Sequence, residues 1–377
     1  MLIEYHPSTS IEHLSEALTA MSVRPEVKSL YLLGCDENQW TSEAIDPVLQ
    51  AQVLPLMGGI FPRVIHQQSD YTTGYVLVGL YTELNPVLVE GLSDSGCDYE
   101  AVLDEAIDEE QEFSTMLVIV DGLSSRISAF VDSLFAIFGS EINYIGGGAG
   151  SLSFQSKPCV LTNRGAMQDA AVLGLLKESV PIQVGHGWRP YHTGHLITEV
   201  EKNVVKEIDY KNALEVYADI IAPHLKDGEG LNKDNFFTNA QSFPLGIKRA
   251  DSDYIVRDPI AIDDEGALIC VGELTKGDRI DILTAQPEDL IASAGTIAQA
   301  SADEISQDKQ VRGVMLIDCI SRALFLQETF QQELAAARAP FGDDSQLFGA
   351  LVLGEIANSG AGYLEFYNKT SVITHFQ

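Results

Sequence analysis

MLVIVDGLSSR (116–126), SAFVDSLFAIFGS (128–140) and NYIGGGAGSLSF (143–154) follow one another along the chain. The first opens with an apolar run that ends at Asp121 and Gly122, which predicts a buried strand followed by a turn. The second has the apolar spacing of a helix, and the third is interpreted as a glycine-rich turn. A strand, a turn and a helix in this order are typical of an α/β unit.

The same alternation continues on both sides of this unit. Thr9 and Glu12 have the spacing of a capping box and predict a helix near the beginning of the sequence. Short apolar runs at 30–33 and 73–81 predict buried strands. In the second half, we expect one long helix over about 322–337. Two closing strands are expected after it, within LFGALVLGEIANSG and EFYNKTSVITHF.

These elements predict an α/β (α+β) fold made of two modules. Each module is expected to hold a mixed, largely buried β-sheet flanked by helices. The chain has 377 residues, which is enough for two domains. We place the modules at residues 1–178 and 179–377.

The charge balance limits the classes of partner. Net charge is −32, with no basic patch, and such a surface repels nucleic acid and anionic membranes. No run approaches the roughly 18 apolar residues of a membrane span. The first residues lack the pattern of a signal peptide, so we expect a cytoplasmic location. The acidic stretch 98–112 has helical apolar spacing and predicts a solvated helix.

Signals for catalysis are weak. The five cysteines are far apart in sequence, which excludes CxxC pairs and indicates reduced thiols, mostly in the core. No GxSxG motif is present. Cys319 could present a thiol at a strand end, but a core position is favoured. Glu355 sits among apolar residues, where a carboxylate needs a partner such as a backbone group or Arg322. We therefore expect that the protein is not an enzyme.

Gly146-Gly147-Gly148-Ala149-Gly150 is the most glycine-rich stretch. It lacks the GxGxxG spacing of a dinucleotide site, and no Gly-Lys-Ser/Thr follows as in a Walker A loop. A tight turn or close packing is therefore favoured over phosphate binding. Lining of a ligand pocket stays open, with Gly147 and Gly148 as candidates.

Three of the eight histidines, with one of the two tryptophans, lie in VGHGWRPYHTGH (184–195). Gly185 and Gly187 flank His186 and would leave room for a flat ligand. In an extended segment, His186, Trp188 and His192 would share one face, with Arg189 and His195 on the other.

This cluster admits three interpretations. His186, His192 and His195 could hold a metal such as zinc, although zinc usually adds Cys or carboxylate ligands at closer spacing. His186 could be the axial ligand of a haem, with Trp188 and Arg189 supplying an apolar wall and a cation for the propionates. The residues could also be satisfied polar groups at a domain junction.

Beyond these residues, the sequence resembles the FIST proteins, which carry a FIST N-terminal module followed by a FIST C-terminal module. The chain shows RPYHTGH where many members read RPIGPP, which adds His192 and His195. The resemblance rests on motifs that follow one another in the family's order: IGGGAGS (145–151), GHGWRP (185–190), LITEVEKNVVKEIDYKNALEVY (196–217), FPLGI (243–247), YIVR (254–257), GELTKGDRIDIL (272–283), DCISRALFLQE (318–328) and GEIANSG with FYNKT (354–370).

The resemblance implies a small-ligand sensor. One branch comprises bacterial nitric-oxide-sensing haem proteins, called NosP, that regulate a histidine kinase in trans. It implies a non-covalent haem b and output into two-component and cyclic-di-GMP signalling. For the axial ligand of such a haem we favour His186, with His192 and His195 as alternates. The alternative is a haem-free FIST sensor of a small metabolite such as an amino acid. The oligomeric state stays open, a homodimer included.

Overall fold

The fold is described by a computed structural model for residues 1–108, 111–226, 230–248, 253–306, 310–358 and 362–377. The end of the acidic stretch at 109–110 therefore lies outside the described residues. Within the described ranges the helices are α1 (Ile11–Ser22), α2 (Ser42–Gln50), α3 (Tyr99–Ala106), α4 (Ile127–Phe138), α5 (Ala213–Ile221), α6 (Phe236–Ala240), α7 (Pro287–Asp303), α8 (Ile320–Leu326) and α9 (Phe330–Arg338). No helix in these ranges is long and apolar enough to cross a membrane.

The strands of the first half are β1 (Leu2–His6), β2 (Ser29–Cys35), β3 (Leu56–Phe61), β4 (Arg63–His66), β5 (Ser69–Tyr71), β6 (Tyr75–Leu80), β7 (Asn85–Glu90), β8 (Thr115–Asp121), β9 (Asn143–Ala149), β10 (Val160–Thr162), β11 (Gly165–Met167) and β12 (Ala170–Leu176). Those of the second half are β13 (Gln183–Gly185), β14 (Arg189–Glu201), β15 (Val204–Ile208), β16 (Lys211–Asn212), β17 (Leu245–Ile247), β18 (Ile255–Ile262), β19 (Leu268–Val271), β20 (Arg279–Thr284), β21 (Gly313–Cys319), β22 (Leu347–Val352), β23 (Glu355–Asn358), β24 (Leu364–Tyr367) and β25 (Ser371–Phe376).

The described strands form four sheets, which confirms a mixed α/β fold. Three sheets have the orders β1-β6-β2-β3-β10-β11, β24-β23-β9-β8-β12-β7 and β13-β25-β21-β22-β4-β5. The fourth has the order β14-β20-β17-β18-β19-β15-β16, and pairing of β14 with β15 closes it into a ring of strands. Parallel pairs lie at the centres of the first three sheets, β2 with β3, β8 with β9 and β21 with β22.

Two of these sheets are shared between the halves of the chain. Strand β4 pairs with β22, and β9 pairs with β23. Each half therefore completes a sheet of the other, which separate sheets for two modules would not do. One core cluster runs through the three six-stranded sheets, with residues such as Leu32, Leu117 and Phe348 in the same contact network. The largest of the core clusters is therefore built by both halves of the chain.

Several element bounds differ from the sequence predictions. The first helix is capped by Ser10, whose hydroxyl accepts a hydrogen bond from the His13 N–H at 3.3 Å, rather than by Thr9. The expected long helix is broken into α8 and α9 at Gln327, which has a φ of 49°. The expected two closing strands are four in the structure, β22 to β25.

The glycine-rich stretch is strand β9 rather than a turn. Its apolar neighbours and its glycines are buried between β8 and β23. A Cβ on Gly146 would collide with the Val118 carbonyl, and a Cβ on Gly147 would lie 2.6 Å from the Gly354 carbonyl oxygen. These glycines therefore allow adjacent backbones to pack closely, as the favoured interpretation of the stretch expected.

Candidate functional site

The segment around His186 is an irregular connection between β13 and β14, not a continuous strand. Gly187 within it has a φ of 77°, which favours glycine. His186 is only 6% exposed, and its Nδ1 accepts a hydrogen bond from the Trp188 N–H at 2.9 Å. Burial lowers the pKa of His186 to about 4, so the imidazole is neutral at pH 7.

The room expected beside His186 is filled by helix α7. A Cβ on Gly185 would lie 2.7 Å from Ile297 Cγ2, and one on Gly187 would lie 2.6 Å from the Asp289 carbonyl oxygen. Arg189 forms an ion pair with the Asp289 carboxylate. The glycines therefore serve close helix packing, and the residues around His186 do not fit a flat macrocycle in this arrangement. Haem ligation by His186 stays a prediction.

His192 and His195 do not share a site with His186. Irregularities in the pairing of β14 with β20 interrupt the alternation of faces that an extended segment would have. The two imidazoles stack at 4.9 Å, and His192 Nδ1 lies 2.7 Å from His195 Nε2. His195 Nδ1 in turn lies 2.7 Å from Asp209 Oδ2. In the described part of the chain, no three His, Cys, Asp or Glu side chains are grouped to hold a metal ion.

Trp188 connects this segment to a buried polar network. Its indole N–H donates to the Lys369 carbonyl at 3.2 Å, and the Lys369 ammonium lies 5.1 Å from the ring centroid. The ammonium also contacts Asp258 Oδ2 at 3.1 Å and donates to the Gln241 carbonyl at 3.0 Å. Lys369 is fully buried, so this aromatic and ionic environment is what compensates its lost hydration.

Arg322 is the centre of the network and is also fully buried. It donates to Glu333 Oε1 from Nε at 3.0 Å and from Nη2 at 2.8 Å, and its Nε lies 3.2 Å from Asp318 Oδ1. Its Nη1 donates to the His186 carbonyl at 2.5 Å. Burial acts to lower the pKa of Arg322, but Glu333 and Asp318 outweigh it and raise that pKa. The His186 segment therefore supplies a carbonyl to a buried guanidinium.

The network contains more carboxylates than cations can satisfy. Glu355 Oε2 accepts from the Thr370 N–H at 3.1 Å, which is the backbone partner expected for Glu355, whereas Arg322 binds Glu333 instead. Burial raises the pKa of Asp318 and of Glu355 well above the usual range, and the proximity of other carboxylates adds to both shifts.

A cavity of about 350 Å³ opens beside this network. One wall comes from the turn after β8 and the start of α4, including Leu123 and Ile127. The opposite wall comes from β18 and β19, including Ile260 and Val271. Cys319, at the end of β21, closes the inner end with residues of α8. The cavity is thus built by both halves of the chain and has the size of a small-molecule site.

The inner end of the cavity is polar and its mouth is apolar. Asp258 and Asn368 are buried and line the inner end together with Cys319. Leu152, 39% exposed, and Phe154, 55% exposed, line the cavity where it meets solvent. Exposed apolar side chains grouped around a cavity are typical of a binding site rather than of ordinary surface.

The glycines of β9 back this cavity without lining it. Gly148 donates to the Gly354 carbonyl at 2.9 Å, and Gly354 and Leu353 are lining residues. Among the described residues, the lining contains neither the candidates Gly147, Gly148, His186, Trp188 and Arg189 nor any histidine. It does contain Cys270 and Cys319, and burial raises the pKa of both thiols, which disfavours a thiolate ligand or nucleophile.

Two family models match the sequence over most of its length. The FIST N domain matches residues 30–211, and the FIST C domain matches residues 213–358. The chain belongs to the FIST family. FIST domains are signalling sensor domains. The matched regions meet at 211–213. No curated protein matches the sequence significantly.

Both FIST regions contribute residues to the cavity. Leu123 and Asn203 belong to the FIST N region, whereas Asp258 and Cys319 belong to the FIST C region. The sequence analysis named Cys319 and Glu355, and one of its motifs contained Asn368, but it missed Asp258 and the role of Lys369. A charged residue inside or beside an apolar strand could have indicated these two residues, as Asp258 does in IVRDPIAI.

Proposed function

We propose that the protein is a sensor that binds a small molecule in the cavity between its FIST N and FIST C regions. The observation that carries the proposal is a cavity of about 350 Å³ with a buried polar end, lined from both regions. A ligand in contact with both regions can change how they pack, and a change in packing is a signal that a partner protein can detect.

The cavity favours a haem-free sensor over a haem sensor of nitric oxide. A haem in this cavity would need an axial ligand, and histidine is absent from the lining among the described residues. The thiols of Cys270 and Cys319 are held protonated by their raised pKa. The same protonation makes them weak nucleophiles, which supports a sensor rather than an enzyme. A histidine kinase in trans stays the predicted partner.

A thermal-shift screen of small metabolites tests the proposal. A ligand at 100 times its Kd stabilises the folded state by about 2.7 kcal/mol. The Ile260→Trp variant fills the cavity from strand β18 and should lose the stabilisation. The matched control is Val53→Trp, which adds the same ring at a position that is 94% exposed. Ligands that stabilise the Ile260→Trp variant as strongly as the control would refute the cavity as the sensing site.

Hemin titration tests the alternative in the same preparation. Without an axial ligand, added hemin should absorb like free hemin in buffer at each step, before dithionite, after dithionite and after nitric oxide. A sharp Soret band that shifts on reduction, and is lost in His186→Ala, would instead establish the haem sensor.

A further inference from the structure

The inner end of the cavity has hydrogen-bond acceptors without donors. Asp258 Oδ2 contacts the Lys369 ammonium, but Asp258 Oδ1 has no hydrogen-bond partner among the described residues, although the atom is buried. The Asn368 amide donates from Nδ2 to the Tyr367 carbonyl at 2.8 Å, and Asn368 Oδ1 likewise has no partner within the described part of the chain. Buried acceptors left without a donor are costly, so an occupant that donates would relieve both.

The buried carboxyl groups near these atoms outnumber the buried cations. Asp318 and Glu333 pair with Arg322, and Asp258 pairs with Lys369, whereas no ion pair among the described residues includes the buried Glu355. A third buried cation, Arg257, donates to the Glu273 and Phe366 carbonyls. Arg322 and Lys369 already donate to backbone carbonyls as well as to carboxylates. Burial raises the pKa of Asp258, although Lys369 and the nearby Ser321 hydroxyl both act in the opposite direction. A cation that contacts Asp258 would favour the ionised form of this carboxyl and would be attracted by it.

The outer part of the cavity fits an apolar body. Leu152, Phe154 and Phe237 are partly exposed at the mouth, and Ile260 and Leu353 continue the apolar wall inward. Lys202 also lines the cavity, but this residue is exposed to solvent. The cavity thus changes from apolar at the mouth to anionic and acceptor-rich at its inner end.

We propose that the ligand is an amine with an apolar body, whose primary ammonium donates to Asp258 Oδ1 and Asn368 Oδ1. The inference rests on the proposed function and names the ligand class of the same cavity. Its apolar body lies against Ile260, Leu353 and the rim residues, where it covers apolar surface. A ligand that carries only acceptors, such as a carboxylate, would add to the unpaired oxygens and is excluded.

A series of three matched probes tests the ligand class on the unmodified protein. Phenethylammonium has the charge, the donors and an aromatic body. Its N,N,N-trimethyl derivative keeps the charge and loses the donors, and 3-phenylpropanoate reverses the charge. By isothermal titration calorimetry, phenethylammonium should bind at least about 10-fold more tightly than the trimethyl compound, since hydrogen bonds to a charged group are involved. The carboxylate should not bind measurably.

Variants then locate the ammonium. Asn368→Ala removes one acceptor and keeps the Asp258–Lys369 pair, so it should weaken phenethylammonium by roughly 10-fold while the trimethyl compound changes little. Asp258→Asn should weaken it by about 10-fold or more, with Asp219→Asn on the exposed face of α5 as the control. Asp258→Asn also removes the partner of Lys369, so folding is checked first by circular dichroism. Unchanged affinity in Asn368→Ala would place the ammonium elsewhere.

The outcomes separate this inference from the proposed function. Equal binding of the ammonium and trimethyl probes overturns hydrogen bonding by the two acceptors. Binding of neither probe, with other compounds stabilising the protein but not Ile260→Trp, overturns the amine class and keeps the sensor cavity. Binding of phenethylammonium to Ile260→Trp with unchanged affinity overturns both.

Discussion

Acid sensitivity is the property of the His186 segment that can be measured most directly. His186 is neutral and buried against Trp188, with a pKa lowered to about 4 from an ordinary value of 6.5. Unfolding exposes the imidazole, which then binds a proton at any pH below 6.5. Between pH 6.5 and pH 4 the unfolded chain therefore binds more protons than the folded one, and stability falls as the pH falls.

The magnitude follows from the two pKa values. The linkage relation gives a loss of about 2 kcal/mol by pH 5 and about 3 kcal/mol by pH 4 from this one group. Above pH 6.5 the contribution is constant. Buried carboxyl groups with raised pKa values, such as Glu355, have the opposite effect on the pH dependence of stability. The measured pH dependence of the free energy of unfolding is therefore the sum of these opposing contributions. The contribution of His186 has to be isolated by a difference between variants.

The assay is urea unfolding of wild type and His186→Asn at several pH values. An asparagine Oδ1 replaces the Nδ1 acceptor for the Trp188 N–H and does not titrate. The free-energy difference between the two proteins should shift by about 2 kcal/mol in favour of the variant from pH 7 to pH 5. His186→Gln is the control, because it also lacks the titration but lengthens the side chain. Stability profiles of wild type and His186→Asn that stay parallel from pH 7 to pH 5 would show that His186 does not have a lowered pKa in the folded protein.

Three further predictions concern the network, the strands and the thiols. Arg322→Met should destabilise the protein by about 3 to 5 kcal/mol in urea unfolding, because it leaves buried carboxylates unpaired, and a loss below about 1 kcal/mol would contradict this. Gly146→Ala should abolish soluble expression or strongly lower Tm, since its Cβ would collide with the Val118 carbonyl, whereas Gly230→Ala meets no neighbour and should be tolerated. Iodoacetamide at pH 8 should label Cys97, the partly exposed thiol, in the folded protein, with all five thiols labelled in urea, as mass spectrometry can count.

Much of the secondary structure was predictable because it depends on local patterns. The apolar run at 116–120 became β8, and the helical spacing after it became α4. The capping residue of α1 was placed one position early, since Thr9 and Ser10 are both good caps and only geometry separates them. The break between α8 and α9 at Gln327 carries no glycine or proline, so no local signal marked it.

The site was predicted only in part. The sequence correctly indicated a backbone partner for Glu355, whereas the ligand role of the 184–195 stretch stays a prediction. It did not show that His186 contributes its carbonyl to Arg322, a residue far along the chain. Nor did it separate His186 from His192 and His195, because spacing along a chain assumes a regular strand and the bulges in β14 remove that regularity.

Composition, periodicity and ordered motifs are properties of the chain alone, and they predicted the mixed α/β character, the negative charge and the FIST family. The pairing of β4 and β9 with strands of the other half depends on the three-dimensional arrangement, and so does the cavity that both halves enclose. Asp258 and Lys369 form an ion pair beside this cavity, although they lie more than a hundred residues apart in the sequence. Their pairing depends on burial, since a charge placed out of water must find its partner in space, whatever the distance along the chain.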